Sequence, residues 1–269
     1  MNFNSDKTTE RERYNSRAIN SINSASKINI SSVPRFLQSP YICYQEYLSK
    51  ILSKDLKILE IGSGMGENTG ILIDSGADVT IIDISSDSLK VLKRVYSKND
   101  NIRTVVADIE KLPFNSQSFD LVCSAGSLSY GDHKLVRDEI SRVLKPNGFF
   151  VCIDSLNHNY IYKINRFIHY LRGNRTKSVI SRMPSLDLIN FYEQIFFIEQ
   201  INFFGSITWL HPLLSPFIGN NSFASFSDWF DKFINVHKSA FKFVLVSKLL
   251  NRFSVKRPSF VHYFSIGKT

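Results

Sequence analysis

Only three cysteines are present, Cys43, Cys123 and Cys152, and no two are close enough for a C-x-x-C pair. That spacing excludes the common dithiol redox motifs and zinc ribbons. Cys123 and Cys152 fall in apolar, strand-like runs and read as buried free thiols. Histidine is also scarce, with six in the chain and no His/Cys cluster, so no metal centre is expected. No run reaches the ~18 uninterrupted apolar residues of a membrane span. The opening Met1-Asn2-Phe3-Asn4-Ser5-Asp6-Lys7 lacks the apolar stretch of a signal peptide. A cytoplasmic protein is expected. No internal repeat is visible.

What the chain does have is bulk, aromatics and an uneven charge. Its 269 residues are 43% hydrophobic and include 22 Phe and 11 Tyr, enough for one large core with an appendage. The net charge is +9, but residues 56–155 hold 11 Lys/Arg against 14 Asp/Glu, while residues 156–269 hold 14 against 5. The basic excess therefore belongs to the C-terminal part. Such a flank suits a phosphorylated substrate, an anionic membrane surface or a nucleic acid, or serves only solubility.

Residues 1–32 are rich in Ser, Asn and charge and read as a segment that is mobile, or ordered only against a ligand, with a short helix over 9–19. Ser39-Pro40 predicts a helix start, with the serine as N-cap. From residue 56 strands and helices alternate. Strands are expected at 57–61, 78–83, 102–107, 119–124 and 149–154, with helices at 67–75, 87–97 and 134–144 between them. Lys145-Pro146-Asn147-Gly148 is a clean helix stop. This rhythm argues for an α/β fold, a parallel sheet with helices on both faces. Beyond Asp154 the pattern changes. Residues 157–182 carry six Lys/Arg and no acid, interleaved with Tyr160, Tyr162, Phe167 and Tyr170. A helix at 185–196 and strands at 197–204 and 241–247 resume the core, around a helix at 227–236 and a proline-broken segment 209–218 that is expected to bury against the core, the alternative being contact with a membrane or a polyprenyl tail.

The densest signal is Leu59-Glu60-Ile61-Gly62-Ser63-Gly64-Met65-Gly66, an apolar strand running into a glycine-rich turn that opens a helix. Glycines at such a turn let backbone N–H groups approach a ligand, and the helix N-terminus behind favours negative charge. Asp83 ends the second strand, with Ile84 beside it; Asp108-Ile109 follows the third; Ser124-Ala125-Gly126 ends the fourth. Open α/β sheets bind ligands beyond the carboxyl ends of their strands, where all four features would meet. Asp83 can accept from a ribose diol, and Asp108 from an exocyclic adenine amine beside the Ile109 N–H. Each feature alone is weak, since glycine turns are common and an Asp at a strand end is often a helix cap. A nicotinamide dinucleotide site would show G-x-G-x-x-G, whereas this turn is G-x-G-x-G preceded by an acid.

These residues, together with Ala107-Asp108-Ile109-Glu110-Lys111-Leu112-Pro113-Phe114, Ser118-Phe119-Asp120-Leu121-Val122 and 139–148, resemble class I S-adenosylmethionine-dependent methyltransferases, in particular the group acting in ubiquinone and menaquinone biosynthesis. The resemblance covers about residues 56–154. It implies a Rossmann-like doubly wound sheet of seven strands, mostly parallel with an antiparallel last strand, plus helical insertions in the C-terminal part. It implies S-adenosylmethionine as cofactor, with Glu60, Gly62, Ser63, Gly64 and Gly66 at the methionine moiety, Asp83 and Ile84 at the ribose, Asp108 and Ile109 at the adenine, and Ser124 and Ala125 at the adjoining strand end. The expected organisation is a mobile or helical extension (1–55), a methyltransferase domain (56–250) with acceptor-binding insertions near 157–182 and 206–238, and a tail (251–269).

Methyl transfer needs alignment first, and a base only when the acceptor must lose a proton. In such a family the loop 127–133 faces the methyl group. Tyr130 there could touch the acceptor, and His133 could be a base oriented by Asp132. The alternative is that Asp132 caps the next helix and His133 is an ordinary first-turn residue. His158, past the fifth strand, is a second candidate base. The text near 157–160 and 170–173 is also loosely similar to methyltransferases of bacterial surface-polysaccharide synthesis, which favours O-methylation of a sugar, nucleotide sugar or glycan. Alternatives are a quinone or lipid methyltransferase at the membrane face, or a non-catalytic adenosylmethionine-binding or RNA-associated module. The expected partner is a small-molecule, sugar or lipid-linked acceptor; peripheral membrane contact is compatible with the composition, and nucleic acid is disfavoured.

Overall fold

The strands form because their residues are apolar on both sides, as a sheet covered on both faces requires. The computed structural model describes residues 3–21, 30, 33–173, 175–234 and 239–250. Seven strands make one sheet: β1 (Lys57–Ile61), β2 (Asp78–Asp83), β3 (Ile102–Val106), β4 (Phe119–Ala125), β5 (Leu144–Ser155), β6 (Phe196–Phe204) and β7 (Lys242–Leu249). Their order is β3-β2-β1-β4-β5-β7-β6. The first five pair in parallel, and β7 runs antiparallel between β5 and β6. The chain therefore switches direction across the sheet between β1 and β4, the place where such folds leave a crevice.

Alternate residues of each strand serve opposite faces. Leu59, Ile61, Ile82, Val122 and Phe150 pack against α5 (His133–Val143) and α8 (Leu186–Glu193). Ile58, Val79, Ile81, Cys123 and Val151 pack against α2 (Ser39–Ile51), α3 (Gly70–Asp74) and α4 (Ser86–Val95). Cys123 and Cys152 are buried free thiols on opposite faces, and burial pushes both thiols up, so they act as small apolar side chains.

Several local expectations shift. Helix α2 has Gln38, not Ser39, before it and no side-chain cap. Regular helix begins only at Gly70 rather than 67, because Gly62, Gly64 and Gly66 all take positive φ and wind residues 63–69 into successive turns. Ser85 caps α4, accepting from the Ser88 N–H at 3.0 Å. The N-terminal segment is helical as α1 (Phe3–Ser21) and lies across the sheet's carboxyl edge rather than trailing away.

The C-terminal insertions are helices. α6 (Tyr160–Leu171) and α7 (Lys177–Ser181) follow β5, and α9 (His211–Ile218) and α10 (Asn220–Ile234) follow β6. The 209–218 segment does not bury: α9 has no buried residue. Phe36 and Phe223 already fill the space beneath it, with Phe36 stacked on His211 at 3.8 Å. The expected tail at 251–269 and the end of the 227–236 helix lie outside the described residues.

Candidate active site

Beyond the carboxyl ends of β1, β2 and β4 lies a cavity of about 440 Å³. Its base is the glycine turn. Gly62 has φ +65, and a Cβ there would sit 2.3 Å from the Ser127 Cβ, so strand β1 and the loop after β4 can approach only through a glycine. Gly64 has φ +58, and its N–H donates to Asp83 Oδ2 at 2.8 Å. Asp83 Oδ1 accepts from the Ser85 N–H at 2.8 Å. Two of the carboxylate's roughly four lone-pair sites are thus used within the fold, and the rest can accept from a diol. Burial raises the Asp83 carboxyl, against the lowering effect of these N–H donors.

Glu60, next to last in β1, is almost fully buried. One oxygen accepts from the Thr69 hydroxyl at 2.6 Å. Burial pushes its carboxyl up to about 8, opposed by that hydrogen bond and reinforced by Glu67 and Asp83 nearby. A buried acid with no cation beside it among the described residues suits a ligand that carries positive charge.

Asp108 follows β3, with Oδ1 accepting from the Glu110 N–H at 3.0 Å and Oδ2 from Lys7 at 2.6 Å. Lys7 belongs to α1, which crosses the cavity. Arg17 approaches Glu67 at 3.4 Å, and Asn15 accepts from the Ser85 hydroxyl at 2.6 Å. The Tyr14 and Tyr130 hydroxyls are 2.7 Å apart, and Glu10 accepts from the Thr176 N–H at 3.1 Å. None of these covering residues stands out in the sequence, because α1 is held by polar contacts and offers little apolar periodicity to read.

Of the residues expected in the site, Glu60, Gly62, Ser63, Gly64, Asp83 and Ile84 line the cavity. So do Asp108, Ile109, Ala125 and Tyr130. Gly66 and Ser124 stand behind it: a Cβ on Gly66 would meet Tyr96 and Leu92, and Ser124 pairs with the Ser127 hydroxyl at 2.6 Å. The two histidines are placed elsewhere. His133 is in the first turn of α5, where Asp132 accepts from the Lys134 and Leu135 N–H groups as N-cap. Burial lowers the imidazole's proton affinity, against its hydrogen bond to the Arg182 backbone. His158 accepts from the Leu186 N–H at 2.7 Å and ties the end of β5 to α8. Neither lines the cavity. Asp154, which does, went unnoticed in the sequence; it is buried and accepts from the Leu128 N–H at 2.9 Å.

Residues 59–152 match the model of a family described as a methyltransferase domain. Over these residues the chain carries a methyltransferase domain, similar to those of class I S-adenosylmethionine-dependent methyltransferases. Over 106 residues it is 35% identical to a demethylmenaquinone methyltransferase of Staphylococcus aureus, covering 38% of this chain and 44% of the relative. A sterol 4-C-methyltransferase of Caenorhabditis elegans is 32% identical over 119 residues, covering 43% and 36%. The chain spans less than half the length of these curated relatives. A geranyl diphosphate C-methyltransferase from Streptomyces coelicolor, solved with S-adenosyl-L-homocysteine, superposes with a TM-score of 0.56 at 17% identity, covering 78% of this chain and 79% of the other. At that identity the likeness concerns the fold. The methyltransferase domain's cofactor is S-adenosylmethionine, and the residues fit it: a buried acid at Glu60, spare acceptor capacity on Asp83, and glycines where the backbone must come close.

Proposed function

We propose that the chain is a methyltransferase acting on a small acceptor of the lipid or quinone class. The observation that carries this is that the cavity lined by Glu60, Asp83 and Asp108 is also lined by the apolar side chains of Val33, Val179 and Met183. The curated relatives that act on demethylmenaquinone and sterols support it. When bound, S-adenosylmethionine supplies an electrophilic methyl group on sulfur. Glu60 and the Gly62–Gly66 turn would hold its amino-acid end, Asp83 with Ile84 the ribose, and Asp108 with Ile109 the adenine. The protein's remaining task is orientation and exclusion of water, where most of the acceleration of such a displacement arises. Tyr130, fixed by Tyr14 and by Arg13 at 3.3 Å, positions the acceptor. No histidine is among the described residues lining the cavity, so an acceptor that must lose a proton meets Tyr130 and Asp154 instead.

A second reading, O-methylation of a sugar, nucleotide sugar or glycan, is favoured by Arg175 and Lys242 on the same cavity wall, where a phosphate would be held. Transfer of labelled methyl from S-adenosylmethionine separates the two. Incorporation into quinone precursors or lipid extracts supports the first, and incorporation into nucleotide sugars supports the second. Cofactor binding with incorporation into neither supports a non-catalytic adenosylmethionine-binding module.

A further inference from the structure

Helix α6 is inside out. The residues it hides are Tyr162 and Arg166, the latter hydrogen-bonded to the Leu156 carbonyl at 3.0 Å and to Asn157 at 2.9 Å. The residues it shows are Tyr160, Ile161, Ile164, Phe167, Ile168 and Leu171, a stripe at helical spacing, with Tyr160 79% and Leu171 68% exposed. The second insertion repeats this. Phe217 of α9 is 86% exposed, and on α10 Trp229 lies against Phe226 at 6.0 Å and Phe233 at 5.0 Å, all three facing out.

The two insertions are neighbours on one edge. Ser155 at the end of β5 and Phe204 at the end of β6 both pair with Lys242 at the start of β7. The Tyr162 hydroxyl reaches the Gly205 carbonyl at 2.7 Å and accepts from the Trp209 N–H at 3.1 Å, pinning α6 to the turn before α9. This is also the edge that bears the cavity. Charge around the apolar stripes is of one sign. Lys163, Arg172, Lys177 and Lys232 are exposed, whereas the acids of α10 point inward. Asp228 faces Arg35 at 3.8 Å, and Asp231 accepts from the Gly205 and Ser206 N–H groups.

We propose that the outward faces of α6, α9 and α10 dock on an anionic lipid bilayer, setting the cavity's edge toward the membrane. Aromatic and aliphatic residues enter the headgroup boundary while flanking lysines and arginines meet the lipid phosphates. A second copy of the chain fits less well, because a two-fold contact would set this basic surface against itself. The docking is independent of which acceptor is methylated, and its test reads binding rather than turnover.

The full chain is sedimented with vesicles of phosphatidylcholine alone or mixed with phosphatidylglycerol. Co-sedimentation with the mixed vesicles is expected, reduced by salt and weak with phosphatidylcholine alone. The double variant Phe167→Ser, Phe217→Ser, altering exposed side chains only, should lower vesicle affinity by about tenfold or more with an unchanged melting curve and unchanged S-adenosylhomocysteine binding. No sedimentation, or sedimentation indifferent to salt and to the double substitution, overturns the proposal. So does concentration-dependent self-association without vesicles that the same substitutions abolish, which assigns the surface to a second copy.

Discussion

Glu60 is the residue whose chemistry most constrains the site. Its carboxyl, with an ordinary value of 4.5, is pushed up to about 8 by burial at the end of β1. The folded protein therefore keeps a proton there that the unfolded chain gives up, and between those two values rising pH costs folded-state stability through this group. A cation placed beside Glu60 reverses the balance and expels the proton. Binding of S-adenosylhomocysteine at pH 7, measured calorimetrically in buffers of different ionisation enthalpy, should show proton release by the protein, and Glu60→Gln should remove it. Without ligand, Glu60→Gln should melt above the wild type at pH 8; equal melting there would contradict the burial argument. Asp83 acts differently, since its oxygens brace Gly64 and Ser85 while keeping acceptor capacity for the ligand. These two acids were legible because each lies near the end of an apolar strand. Asp154 does too, and was missed because no glycine turn or helix start follows it to mark the position.

Among the elements, α5 shows why a motif residue needs its cap examined. His133 looked like a base beside an acid, yet Asp132 spends its carboxylate on the first turn of the helix. Asp132→Ala should lower stability by about 1 kcal/mol in thermal melts and leave S-adenosylhomocysteine affinity unchanged. Helix α1 is the opposite case, an element the sequence suggested only as a short stretch in a mobile segment. Its ties are ionic and polar, Lys7 to Asp108 and Glu110 and Asn15 to Ser85, so no apolar stripe announces them. Ala18 joins an apolar cluster, beside Met65 and Val91. Because α1 spans the residues assigned to cofactor, ligand should hold it in place. Tryptic cleavage at Arg11, Arg13 and Arg17 should slow several-fold with saturating S-adenosylhomocysteine, by the usual coupling of binding to local opening. Unchanged cleavage would detach α1 from the site.

At the scale of the molecule, the sheet was readable because buried parallel strands are continuous apolar runs bounded by turns, as in Val79-Thr80-Ile81-Ile82. The position of β7 between β5 and β6 was not readable, since order within a sheet depends on pairings far apart in sequence. The insertions were visible by composition, but their orientation was not: nothing local says that α6 hides an arginine and shows a phenylalanine. No helix among the described residues is long and apolar enough to cross a membrane. The whole arrangement brings four acids, Glu60, Asp83, Asp108 and Asp154, with one glycine turn and one covering helix around a single cavity. If this cavity holds S-adenosylmethionine, isothermal calorimetry of the full chain with S-adenosylhomocysteine should show it. Binding of one ligand per chain is expected, weakened about 10- to 100-fold by Asp83→Ala. No binding by the wild type, or binding that Asp83→Ala leaves intact, would contradict that assignment.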